Sequence, residues 1–297
     1  ITLVLGLIGI MGYSQQDSQY TQYMYNTVNI NPAYAGSREV LSIFGLHRSQ
    51  WVGLDGAPTT NAFSVNSPIG DSSFGIGLSF VNDRIGPAEE NAISADLSYF
   101  IPMSENYKLA FGLKGTANLF NIDVNKLNIQ HQNDPQFQNL DNDFSPNVGA
   151  GIYLYSDRFY AGVSVPNFFE TKRYKDNSIS ITQERLHYYF ITGYVFEANP
   201  NLKIKPSVLA KAVEGAPLQL DGSLNFLLYE KLTLGAAYRW DAAWSAMAGF
   251  QISNSIFIGY AYDAETTQLE NYNSGSHEVF LRFELFNNSK MLTPRFF

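Results

Sequence analysis

The chain has 297 residues, 45% of them apolar, with a mean hydropathy of −0.14 and a formal net charge of −8. It has no cysteine, which excludes disulfides and thiolate metal sites, and its negative charge disfavours a nucleic-acid backbone as partner. Beyond the first residues no window approaches the ~18 uncharged apolar residues of a membrane helix, which excludes helical spans but not a β-barrel, whose strands average to neutral hydropathy.

The apolar run Ile1 to Met11, followed by Gly12-Tyr13-Ser14, has the length of a signal-peptide core with small residues before a cleavage point. It is too short to span a bilayer as a helix, and the chain turns polar at Gln15, Gln16 and Asp17. Residues 1–14 are therefore expected to be an export signal, with a buried first helix as the alternative. No basic segment or initiator Met precedes the run, so the true start is expected upstream. The stretch MYNTVNINPAYAGS, Met24 to Ser37, then follows neither the helical nor the strand period. Lying between an export signal and the first strand, it belongs to a segment, 15–38, expected on the periplasmic side. There it could plug the lumen, close the barrel floor or act as an adaptor surface.

From residue 39 onward the chain alternates. In SFGIGLSFVND, Phe74, Ile76, Leu78 and Phe80 share one face while Gly75, Gly77 and Ser79 share the other; PLQLDGSLNFLLYE and SHEVFLRFEL repeat the pattern. Strands are predicted near 39–50, 59–67, 73–82, 91–101, 107–120, 145–155, 158–166, 186–197, 202–213, 217–228, 231–240, 243–252, 255–263 and 277–287. Several reach the ~9–11 residues of a tilted membrane strand, against ~5–6 for an ordinary globular one. Every second connection is short: SPIGDS, PMSEN, YSD, EANPN, YEK and the Asn254 region. The others include most of the long ones: QWVGLDGAP, DRIGPAEE, Asn121 to Phe144, Asn167 to Arg185, and DAETTQLENYNSGS. Segregated loop lengths, with aromatics gathered near strand ends, define an all-β, antiparallel up-and-down transmembrane barrel of about 14 strands. It spans 39–297, with short periplasmic turns and long extracellular loops, and no repeat or composition shift marks a second domain. Pro206 lacks the N–H of an interior strand residue, so a bulge is expected there. The terminal Phe297 is the expected barrel-insertion signal.

Candidate contacts with a partner lie in the irregular segment (Asn31, Pro32, Tyr34), in the first long loop (Trp51, Asp55) and in the longest one (Asn133, Asp134, Pro135). In the first loop, Gly53-Leu54-Asp55-Gly56-Ala57-Pro58 is turn chemistry, so a rigid structural loop outweighs a docking one. Asp134, Asp141 and Asp143 carry oxygen donors, but their spacing does not match a calcium loop, so a solvated acidic loop is preferred and no metal or cofactor is expected. Lys172, Arg173 and Lys175 make the next long loop cationic. Charges cost ~2–4 kcal/mol when facing lipid at mid-depth, so Lys203, Lys205, Lys211, Asp221, Lys108, Lys114 and Asp96, with Asn225 on the same polar face as Asp221, are expected to form an electrostatic lattice in the lumen rather than an ion-selective pore. The four His (47, 131, 187, 277) show no metal spacing. His47, Ser49 and His277 would approach one another if the first and last strands meet, but nothing in the spacing specifies a nucleophile with an oriented base.

QYTQYMYNTVNINPAYAGS, RSQWVGLDGAPTT, NDPQF and PNVGAGIYLYSDRFYAGVSVPN, in that order from Gln19 to Asn167, together with the terminal PRFF, resemble the PorP/SprF family of the type IX secretion system of the Bacteroidota. Residues 168–276 match in pattern more than in letters. The resemblance implies an outer-membrane barrel with no enzymatic activity and no cofactor. Some members are similar in role to an anchor for periplasmic ring and peptidoglycan-binding components. Others are partners of a large secreted protein bearing a C-terminal sorting domain, as in gliding motility. A passive diffusion channel is the alternative from another class, and a barrel hydrolase a third.

Overall fold

A computed structural model describes residues 20–126, 139–169, 172–173, 182–183 and 185–285. The expected export signal, Asn133, Asp134, Pro135 and Phe297 lie outside the described residues.

Alternation produces fourteen long strands: β1 (Leu41–Ser49), β2 (Thr59–Pro68), β3 (Phe74–Ile85), β4 (Ala88–Pro102), β5 (Lys108–Ile122), β6 (Leu140–Tyr155) and β7 (Phe159–Val165) form the first half. The second half is β8 (His187–Tyr194, resumed at Phe196–Asn199), β9 (Leu202–Val213), β10 (Gln219–Leu228), β11 (Leu232–Arg239), β12 (Ala243–Gln251), β13 (Ile256–Glu265) and β14 (Ser276–Leu285). Each pairs antiparallel with its sequence neighbours, and β1 pairs with β14 from Leu41↔Leu285 to Ser49↔His277, closing the barrel. A two-residue ribbon, Lys172–Arg173 against Thr182–Gln183, stands apart in the loop between β7 and β8. Closure leaves no sheet edge, the condition for placing strands in hydrocarbon. On β3, Phe74, Ile76, Leu78 and Phe80 are exposed to the outside while Gly75, Gly77 and Ser79 face the lumen, and the other strands follow the same rule.

Two expectations need correction. DRIGPAEE is not a long loop: β3 and β4 stay paired to Ile85↔Ala88, leaving only Gly86 and Pro87 as the turn. Charges continue the hairpin above the membrane instead of ending it, as Arg84 bonds Glu89 across the pair at 3.2 Å. Nor does Pro206 create a bulge. β9 holds one register against β8 on both sides of it, Gly193↔Ser207 and Phe196↔Ile204, and stays paired with β10 at Pro206↔Leu224. β8 is interrupted at Val195, whose N–H continues the register with β7 by donating to the Arg158 carbonyl (2.8 Å). The register shift of β8 against β9 lies between Glu197 and Asn199.

Candidate functional site

The lumen is filled by the chain itself. Residues 20–40 run through it as three single turns, Tyr23–Tyr25, Thr27–Ile30 and Pro32–Tyr34, before the chain enters β1. Of the segment 15–38 expected on the periplasmic side, the described part, 20–38, therefore lies inside the barrel. Its descent can be followed by contacts. Thr21 lies level with Arg48, Asp263 and Glu278 near the outer ends of β1, β13 and β14. Ala35 and Gly36 meet Ser98 and Asn66 near the short-turn ends of β4 and β2.

A segment without a ladder must satisfy its backbone in other ways. Its own turns supply some bonds: Asn31 N–H to the Thr27 carbonyl (2.8 Å), Tyr34 N–H to the Asn31 carbonyl (3.1 Å), and Asn31 Oδ1 accepting from Ala33 N–H (3.0 Å). Wall side chains supply the rest. Both Glu278 oxygens accept successive backbone N–H groups, from Thr21 at 3.0 Å and Gln22 at 2.9 Å. Ser164 donates to the Ile30 carbonyl and Ser98 to the Ala35 carbonyl, each at 2.6 Å, and Lys114 donates to the Val28 carbonyl at 3.3 Å. Asn31 Nδ2 reaches the Ile152 carbonyl of β6 at 3.1 Å. The recurrent Asn and the Pro of the irregular stretch are thus the chemistry of isolated turns held by a surrounding wall.

Packing completes the fit. Tyr25 stacks within 5.5 Å of Phe257 and 4.6 Å of Phe280, and Tyr34 meets Tyr153 edge-on at 5.7 Å. Such aromatic pairs contribute about 0.5–1.5 kcal/mol beyond the area they bury. Small wall residues mark the closest approaches. A Cβ at Gly112 would fall on the backbone of Pro32 and Ala33, and one at Gly75 on the Ala35 carbonyl. The inward glycines of β3 and β5 are therefore spaces cut for this segment.

Charges close its two ends. Near the outer end, Arg48 bonds Asp263 at 2.7 Å and Glu278 at 3.2 Å, all three side chains at most 1% exposed, and Thr21 Oγ1 joins Asp263 at 2.6 Å. Near the short-turn end, Arg38 pairs with Glu284, which Arg282 also approaches at 3.3 Å. The expected lattice is present in part: Lys114 pairs with Asp96 at 3.0 Å and Arg239 with Asp221 at 2.7 Å. Lys205 and Lys211 are buried near the Tyr25 and Tyr189 rings, whereas Lys203 and Lys108 stand at the rim with Glu230 and Glu39.

The partner-contact candidates separate sharply. Asn31, Pro32 and Tyr34 are buried against the wall, within the segment that fills the lumen. Trp51 is half-buried, its indole N–H donating to Glu265 at 2.9 Å; Asp55 is exposed. Their loop is stitched to the last long loop by Val52 N–H to the Gly275 carbonyl (2.9 Å) and Ser274 N–H to the Val52 carbonyl (2.7 Å). Asp141 and Asp143 lie on β6; Asp134 is outside the described residues. His47, Ser49 and His277 do converge at the β1–β14 seam, on the outward face. Sequence reasoning missed the Arg48–Asp263–Glu278 clamp, although each of its members sits at an inward phase of its strand.

A closed fourteen-stranded barrel with an apolar outer face and a self-filled lumen is an outer-membrane protein. The family described as "Type IX secretion system membrane protein PorP/SprF" matches residues 12–283, and the chain belongs to it. No curated protein sequence matches it. Among solved structures, the CymD monoaromatic hydrocarbon channel is similar at 10% identity over 91% of this chain and 94% of that one, with a TM-score of 0.50. A Pseudomonas aeruginosa FadL homologue follows at 12% identity, 89% and 94% coverage and 0.44, and the KdgM porin at 9%, 82% and 99% and 0.40. At these identities likeness extends to the barrel fold alone.

Proposed function

We propose that the protein serves type IX secretion as a closed outer-membrane platform. It anchors periplasmic machinery through its short turns, or supports export or surface attachment of one cognate secreted protein through its long loops. The observation carrying this reading is the filled lumen, in a chain whose family works in secretion. An interior packed with Tyr25, Tyr34, Phe257 and Phe280 around a hydrogen-bonded segment suits a scaffold better than a passive diffusion channel. The role requires no turnover by the barrel. Contacts are assigned to Trp51, Asp55 and the loop holding Asn133, Asp134 and Pro135. Deletion of the gene should abolish surface display of one sorting-domain protein while the envelope stays intact, scored by whole-cell labelling and proteomics of the medium. Unchanged display of every such protein would refute the reading.

A further inference from the structure

On the outward face, near the long-loop ends of β1 and β2, three side chains are joined in the order nucleophile, base, orienter. Ser49 Oγ lies 3.1 Å from His47 Nε2, and His47 Nδ1 lies 2.8 Å from Asn61 Oδ1. The strand period puts His47 and Ser49 on one face, and the β1–β2 register sets Asn61 directly opposite His47. The next link fixes the tautomer. The Asn61 amide nitrogen donates to Asn82 Oδ1 at 3.3 Å, so its carbonyl oxygen is the atom turned to the imidazole. Nδ1 then carries the ring proton, and the bare Nε2 faces the serine hydroxyl. Asn82 is itself held by Asn91 Oδ1 at 2.9 Å and Glu89 Oε1 at 2.8 Å. Across the seam, His277 is the register partner of Ser49. The Tyr260 hydroxyl lies 2.6 Å from its Nδ1.

Depth decides what such a group would meet. Towards the membrane interior from these residues, Phe63, Val279 and Leu281 are exposed on the same outward face. On the other side stand Arg84 and the polar loops. In a glycerolipid the acyl ester lies at this boundary between hydrocarbon and head group. A polar rung marking the edge of the hydrocarbon would require polarity at these positions, but not this ordered sequence of donors and acceptors.

We propose that Ser49, His47 and Asn61 form a serine acyl-hydrolase site acting on acyl esters of outer-leaflet lipid, a role beyond the secretion platform and independent of it. Ser49 Oγ attacks the ester carbonyl carbon as His47 Nε2 takes its proton. The C–O bond to the glycerol oxygen breaks, that oxygen receives the proton from His47, and the lysolipid alcohol leaves an acyl-serine. Water attacks the acyl-serine with His47 again as base, releasing the fatty acid and restoring the serine hydroxyl. Asn61 is a positioning residue that holds the base in the required tautomer.

The test uses the purified full chain in detergent–phosphatidylethanolamine mixed micelles. Expected are fatty-acid release and, with an alkyl fluorophosphonate, a covalent adduct that mass spectrometry places on Ser49. Ser49→Ala should abolish both, and His47→Ala should lower release by on the order of 100-fold or more. Asn61→Ala should lower it less, with Asn61→Asp retaining activity. The heat-modifiable gel mobility of a folded barrel should be unchanged in every variant, since all three side chains lie on its outer surface. Absence of an adduct on Ser49 in the folded protein, or release unchanged by Ser49→Ala, would overturn the proposal.

Discussion

The barrel wall and the segment it encloses meet one requirement, backbone polar groups satisfied away from water, by opposite means. In the wall every strand repeats one ladder, so the requirement appears in the sequence as a period of two. In the lumen, residues 20–40 make three single turns and take their remaining bonds from Glu278, Ser164, Ser98 and Lys114. The wall tolerates exchange of one apolar residue for another because any of them meets lipid. The segment is held position by position, and each contact has its own cost of removal.

That difference orders the expected effects of substitution. Glu278→Ala removes one partner of the buried Arg48 and the acceptor of two backbone N–H groups, and should cost about 3–5 kcal/mol in urea unfolding of the reconstituted barrel. Leu78→Arg, on the lipid-facing side of β3, should cost about 2–4 kcal/mol by the same measurement. Protease access to residues 20–38 should rise in Glu278→Ala and stay unchanged in Leu78→Arg, which separates lumen from wall. Gly112→Val drives a side chain into Pro32 and Ala33 and should cost about 1–3 kcal/mol, again with the segment loosened and the ladder intact by circular dichroism. Asn31→Ala loses the turn cap and the bond to Ile152 for about 1 kcal/mol. Asp55→Ala, on an exposed loop, should change stability by less than about 0.5 kcal/mol. If the platform reading holds, its effect appears in display of the secreted partner.

The wall was almost wholly legible because its signal is local. The strand expected at 202–213 is β9, Leu202–Val213, and the alternation of short and long connections placed the membrane. It misled at DRIGPAEE, where Arg84 and Glu89 pair across a continuing hairpin in place of the expected long loop. It misled again at Pro206, where β9 keeps one register with β8 and no bulge forms. The lumen was legible only in outline, as a space that the irregular segment could plug and a lattice of charges could line. Asn31, Pro32 and Tyr34 were singled out for their irregularity, but nothing in the sequence joins Gln22 to Glu278, 256 positions away. The same holds for the outward triad: His47 and Ser49 show their shared face by spacing, whereas Asn61 joins them only through the register of β1 with β2.

The central claim is that this chain closes its own barrel from within. Ion conductance of the purified intact protein in planar lipid bilayers tests it most directly. The filled lumen predicts a silent membrane at protein loads where open porins of similar strand number conduct steadily. A stable, reproducible open-channel conductance from the intact chain would contradict it.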